Sequence, residues 1–240
     1  MTDMLITLPA FATARDGVRH FFGTRRQPER IETDDGLTMV SVKQVHGTDT
    51  LVIDRPLRAG DTFDGGWDAL ITDQPGVLLT VRTADCVPIL LHDRKRGVVA
   101  AVHAGWRGAV AGIVFKTLDA MKRRFGSEPA SVHMGIGPAV GPCCYEVDEP
   151  VLARLRAGFR GWHSVVRERG SGKAMLNLRE LVRQQAQSVG VEAERIHSVN
   201  VCTVCHPDLF YSYRREGTVN GTMVSGIVLL RRRGGRNHAT

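Results

Sequence analysis

Apolar positions in the first half of the chain fall in short runs rich in Val, Ile and Leu, set apart by Gly, Pro or Asp, which is the signature of short strands. On this ground residues 37–43, 50–53, 68–72, 77–81, 87–91 and 97–104 are predicted to be strands. The period then changes. From Trp106 to Phe125 the apolar residues Val110, Ile113, Val114, Leu118, Met121 and Phe125 recur every three or four positions, which predicts one amphipathic helix stopped at Gly126. A second helix is predicted over 178–188, with Asn177 as N-cap, Glu180 three residues on and Gly190 just past its end. A third is predicted over about 148–158, and residues 196–201 and 223–230 return to strand. Strands come in clusters and do not alternate strictly with helices. The expected fold class is therefore α+β, a layered, mixed β-sheet sandwich flanked by helices in a single domain over residues 1–240, with a short basic tail from about residue 231.

Composition narrows the class. The 240 residues are 42% hydrophobic and 24% charged, an ordinary globular balance, and a chain of this length buries roughly 70% of its unfolded surface without a metal or disulfide. A metal site would therefore point to chemistry. The longest apolar runs, 86–91 and 227–230, fall far short of a membrane span, so no membrane partner is expected. Residues 1–17 carry Asp3 and lack a long apolar core before a small-residue cleavage site, and the five cysteines are odd in number, so a cytoplasmic protein with reduced thiols is expected. The net charge of +7, with Arg231, Arg232, Arg233 and Arg236 at one end, favours anionic small molecules. Nucleic acid is not expected, because the bases are scattered and no run interleaves them with the three Trp, three Tyr and eight Phe. Neither GxGxxG nor a Walker A motif is present.

Three segments place a soft metal ligand next to glycine or at a strand end: KQVHG with His46, TADC with Cys86, and HAGWRG with His103. Two imidazoles and a thiolate suit zinc, and three protein donors leave a position open for water or substrate. Their wide spacing is unlike that of a zinc finger, and a structural role for each residue is the competing reading.

The ordered set FFGTR (21–25), KQVHG (43–47), DALIT (68–72), TADCVP (83–88), HAGWRG (103–108), GPCCYEV (141–147) and FYSYRR (210–215) resembles the YfiH-like family, also called the polyphenol oxidase or laccase-domain family. The resemblance implies a purine nucleoside phosphorylase with adenosine deaminase activity, zinc held by His46, Cys86 and His103, and purine nucleosides and phosphate as partners. Arg25, Arg82 and Arg107 lie in or beside these segments and are the expected substrate-binding cations, since a guanidinium fork matches phosphate oxygens. Arg107 is placed by the pattern in the first turn of a helix, where backbone N–H groups also favour an anion. Asp85, next to Cys86, is the candidate for orienting a ligand histidine. The sequence departs from the family pattern after Arg25, where paired glycines are missing, and at NGTMVSG (220–226), where a TGR-like segment would stand.

Other readings stay open beside this one: an amidase editing cell-wall precursors, by zinc-hydroxide attack on the amide carbonyl or, as a variant, with Cys86 paired with His103 as the nucleophile, a polyphenol oxidase, or a non-catalytic metal or anion-binding module. Copper is the less favoured metal, because no Met sits beside Cys86 or His103 and multicopper chemistry needs more than nine scattered histidines. Residues 202–206, CTVCH, match the haem-attachment pattern and half of a zinc site, but no second C-x-x-C supplies further ligands. Structural thiols are expected there and at Cys143 and Cys144.

Overall fold

The computed structural model describes residues 4–12, 16–27, 36–58 and 60–231; Asp3 lies outside them, as does the basic tail beyond Arg231 with Arg232, Arg233 and Arg236. Strands β1 (Leu5–Ile6), β2 (Val18–Gly23), β3 (Thr38–Val40), β4 (Thr50–Ile53), β5 (Ala69–Thr72), β6 (Val77–Thr83), β7 (Val87–Asp93) and β8 (Val98–Ala104) fill the first half of the chain. Helices α1 (Trp106–Val110) and α2 (Ile113–Phe125) follow, then β9 (Val132–Ile136), β10 (Glu146–Val147), α3 (Glu149–Gly158), β11 (Val166–Gly170), β12 (Lys173–Leu176), α4 (Leu178–Ser188), β13 (Ile196–Ser198), α5 (Tyr213–Glu216) and β14 (Met223–Leu229).

The strands form a five-stranded sheet in the order β1-β2-β14-β6-β3, a six-stranded sheet in the order β13-β9-β7-β8-β5-β4, and a small sheet β10-β12-β11. Both large sheets mix parallel and antiparallel pairs, as β3 against β6 and β4 against β5 are parallel. The α+β sandwich expected from the pattern is the fold observed.

The alternation of side chains along a strand explains the layering. In the six-stranded sheet Leu70, Ala101 and Leu90 stand in register and face the five-stranded sheet, where they meet Phe22, Leu79, Val81 and Ile227. Their neighbours Ile71, Ala100 and Leu91 point the other way, onto Ile113, Leu118 and Met121 of α2 and Leu181 of α4. This sheet is buried on both faces, which is why its strands read as unbroken apolar runs.

The single helix predicted over 106–125 is two helices. Gly112, at φ +82°, takes a left-handed conformation that breaks the α-helical path, while the apolar face continues across the break. The capping box at α4 forms as read, with the Asn177 side chain accepting from the Glu180 backbone N–H. No helix among the described residues is long and apolar enough to cross a membrane.

Candidate active site

The ends of β6, β7 and β8, together with the loop 42–47 and α5, surround a cleft of about 750 Å³. His46, Cys86 and His103 all line it, so the three ligands read from separate segments converge. Their donor atoms lie within 4.8 Å of one another. His103 ends β8 and is buried, Cys86 is half-buried just before β7, and His46 sits on an exposed loop.

One residue holds two of the three. Asp68, fully buried just before β5, accepts from His103 Nδ1 at 2.7 Å and from the His46 backbone N–H at 3.0 Å through the same oxygen. Its other oxygen accepts from the backbone N–H groups of Gly47 at 2.6 Å and Val45 at 3.2 Å. These bonds keep His46 at φ 60°, a left-handed conformation that a residue with a Cβ seldom adopts. With Nδ1 engaged, Nε2 of His103 is the nitrogen left for an ion. Burial alone would raise the Asp68 carboxyl, but His103 and the loop N–H groups outweigh it and hold it below its ordinary value.

Close approach needs glycine at two places. A Cβ on Gly105 would stand 2.7 Å from His46 Cδ2 and 3.2 Å from Cys86 Sγ, and one on Gly108 would stand 2.5 Å from the Gly47 carbonyl oxygen. The glycines of HAGWRG thus let α1 press against the histidine loop and leave room around the donors. Without an ion, burial pushes the Cys86 thiol up, yet His103 and His46 more than offset this and bring it down to about 7. Burial likewise pulls the His103 imidazolium down, and Asp68 and Cys86 carry it up to about 9. Two imidazoles and a thiol already polarised towards thiolate, around a space that a Cβ would fill, fit a soft divalent cation.

Asp85 does not orient a ligand histidine. It turns the chain at φ 86°, and its carboxylate accepts from Thr203 Oγ1 at 2.5 Å, Ser212 Oγ at 3.0 Å and the Arg214 backbone N–H at 2.6 Å. It thereby fixes α5 and the 202–206 loop to the turn that carries Cys86.

Of the three expected substrate-binding cations, Arg82 and Arg107 line the cleft and Arg25 does not. Arg25 donates to the Pro207 carbonyl at 2.6 Å and lies over the Tyr211 ring, bracing the loop beyond the cleft wall. Arg214, unassigned within FYSYRR, lines the cleft as well. The Arg107 guanidinium lies 4.6 Å from the Trp106 ring centroid and that of Arg214 5.2 Å from the Tyr145 ring centroid. Among the described residues no carboxylate forms an ion pair with Arg82, Arg107 or Arg214. Because α1 is a single short helix, little helix dipole stands behind Arg107. Trp106, Tyr145 and Tyr213 add aromatic surface to the cleft, and burial pushes the Tyr145 hydroxyl up, so it stays protonated.

Comparison with known proteins places the chain in a group of relatives. Residues 24–230 match the family model described as multi-copper polyphenol oxidoreductase laccase. The chain is 42% identical over 165 residues to a purine nucleoside phosphorylase of Bacteroides thetaiotaomicron, a match covering 68% of this chain and 61% of that protein. It is 37% identical over 203 residues to adenosine deaminase RL5 of an unknown prokaryotic organism, covering 82% and 76% of the two chains. The crystal structure of YlmD from Geobacillus stearothermophilus superimposes with a TM-score of 0.79 at 27% identity, covering 96% of this chain and 100% of the other.

Proposed function

The chain belongs to the multi-copper polyphenol oxidoreductase laccase family, and from that premise we propose that it is a zinc-dependent purine nucleoside phosphorylase that also deaminates adenosine, working as one catalytic domain. The observation that carries the reading is the convergence of His46, Cys86 and His103 at the base of a cleft walled by Arg82, Arg107 and Arg214.

The three donors suit zinc and would hold it without filling its coordination by protein groups alone. Zinc held there supplies Lewis acidity towards water or a substituent of the purine ring. Multi-copper chemistry does not fit the residues. Among the described residues the other cluster of metal-binding groups is all cysteine, so no histidine-rich copper cluster can be assembled.

The rest of the chemistry falls to the chain's own side chains. In phosphorolysis a phosphate oxygen attacks the anomeric carbon of the ribose. The C–N bond to the purine breaks, and the base leaves with the electron pair and takes up a proton. Arg82, Arg107 and Arg214 bind and orient the phosphate; the last two are held by the rings beneath them and, among the described residues, have no carboxylate partner to give up. Trp106, Tyr145 and Tyr213 offer flat apolar surface to the purine, and the protonated Tyr145 hydroxyl donates to a ring nitrogen or the ribose. Deamination in the same cleft replaces the amino group at purine C6 with the oxygen of water and releases ammonia.

The test is chromatography of adenosine and inosine incubated with metal-quantified protein, with and without phosphate, beside a Cys86→Ala variant. Phosphate-dependent release of free base that disappears in the variant is expected. Intact nucleosides in the presence of zinc-loaded wild-type protein would overturn the reading.

A further inference from the structure

A second group of soft ligands lies beside the cleft and takes no part in it. Cys143 and Cys144 sit in the turn between β9 and β10, and Cys202 and Cys205 in the loop after β13. The two segments are joined by backbone pairing, with the Thr203 N–H donating to Ala139 O at 3.1 Å and an isolated bridge between Ala139 and Cys202. The adjacent pair at 143–144 thus supplies the ligands that a second C-x-x-C would have provided.

All four sulfur atoms lie within 4.8 Å of one another, with Cys144 Sγ 3.4 Å and Cys143 Sγ 3.6 Å from Cys205 Sγ. Four thiolates at Zn–S bonds of about 2.3 Å in a tetrahedron stand about 3.8 Å apart, which matches this spacing. An iron–sulfur cluster holds its cysteine sulfurs farther apart, because inorganic sulfides and several irons lie between them.

Three further features prepare the group for a cation. The Gly141 backbone N–H donates to Cys202 Sγ at 3.2 Å, and those of Val204 and Cys205 are directed to the same sulfur, a pattern that stabilises a thiolate ligand. A Cβ on Gly141 would stand 3.1 Å from both Cys143 Sγ and Cys202 Cβ, so glycine is what lets the two segments close. Two guanidiniums press on the same loop: Arg179 donates to Val201 O at 2.6 Å, and Arg215 to Thr203 O at 2.9 Å and Val204 O at 3.1 Å. Four thiolates around a divalent ion leave two negative charges; Arg179 offsets part of them, while Arg215 is paired with Glu216 at 2.6 Å.

We propose that Cys143, Cys144, Cys202 and Cys205 form a second metal centre that binds zinc in closed, all-sulfur coordination and staples the two loops together. A closed site has no position for substrate, so its work is structural. The loops it joins carry Tyr145, which faces the cleft, and Thr203, which anchors Asp85.

The experiment measures metal per chain by elemental mass spectrometry, under reducing conditions and with zinc in the growth medium. It compares the wild type with a His46→Ala/His103→Ala variant and a Cys143→Ser/Cys205→Ser variant. Two zinc ions in the wild type and one in each double variant are expected. Cobalt loaded into the His46→Ala/His103→Ala protein, whose cysteines are intact, is expected to show the intense red d–d bands and near-ultraviolet sulfur-to-metal charge transfer of a four-sulfur tetrahedral site. This reading holds even if the cysteine variant does not fold. A histidine variant that binds no zinc or cobalt, with its four thiols freely alkylated or joined in disulfides, would overturn the proposal.

Discussion

In both clusters the candidate donor atoms lie within 4.8 Å of one another, yet the two are supported in different ways. Behind His46 and His103 stands a carboxylate, Asp68, and the backbone at His46 is left-handed. Behind the cysteines stand backbone N–H groups directed to Cys202 Sγ, in segments where no cysteine has a positive φ. Protonation divides within the cysteine cluster as well: burial pushes the Cys202 thiol up, but the backbone N–H groups outweigh it and bring it down to about 7. The Cys86 thiol is drawn down to about 7 by two imidazoles despite its burial, whereas burial and the neighbouring sulfurs push the Cys144 thiol up. Ligand type alone does not mark a reactive centre; the groups that hold the ligands do. His46, Cys86 and His103 open onto a cleft with a carboxylate behind the histidines, whereas the four cysteines lie outside that cleft, Cys202 buried and Cys143 and Cys205 exposed.

Crossing the two centres by mutation gives the largest contrast. Cys86→Ala is expected to abolish base release with little change in melting temperature. Cys202→Ser is expected to cost ~3 kcal/mol, roughly 6–12 °C in a domain of this size, while keeping activity at low temperature. Equal loss of activity in both, measured beside thermal melts, would erase the distinction. Asp68→Asn is expected to weaken metal binding at the cleft about 10- to 100-fold, because an amide cannot accept all four of its hydrogen bonds. Competition with a chelator reads this directly, and an unchanged affinity would remove Asp68 from the account.

Smaller effects sharpen the picture of the cleft. Arg107→Ala is expected to raise the KM for phosphate about tenfold, roughly the loss of one charge-assisted hydrogen bond, and Arg25→Ala to leave it unchanged. The reverse order in steady-state kinetics would restore Arg25 to the site. In metal-stripped protein, alkylation of Cys86 followed by peptide mass spectrometry is expected to accelerate as pH rises through about 7. Its pKa is depressed, so the reactive thiolate exists above that value and is protonated below it. Cys144 is expected to stay unreactive through the same range. A midpoint for Cys86 near an ordinary thiol would show that the imidazoles do not tune it.

What the sequence disclosed depended on the range of the interaction. The capping box at Asn177 and Glu180 is local, and it formed as read. The helix break at Gly112 was hidden because Val110, Ile113 and Val114 continue one apolar face across it. Strand β9, VHMGI, escaped because Met, Gly and His dilute the β-branched signal, although it pairs with strands on both sides. The grouping of His46, Cys86 and His103 was legible through glycine-flanked motifs and the resemblance they carry. Asp68 was quoted only as the start of DALIT, since its partners at 45–47 and 103 meet it solely through the sheet. The cysteine cluster was visible as two halves about sixty residues apart, and nothing local says that they join.

The sharing of Asp68 between His103 and the His46 loop also bears on motion. His46 is exposed on a loop, where thermal excursions are ordinarily large, while His103 ends a buried strand. Because one carboxylate oxygen grips the ring of one and the backbone of the other, the loop fluctuates together with the strand end. The separation of the two imidazoles is then steadier than the position of either. A cation held by the two imidazoles would be released by opening of the whole carboxylate-bound unit, and its residence time would follow the breaking of the Asp68 bonds more than the mobility of the surface loop.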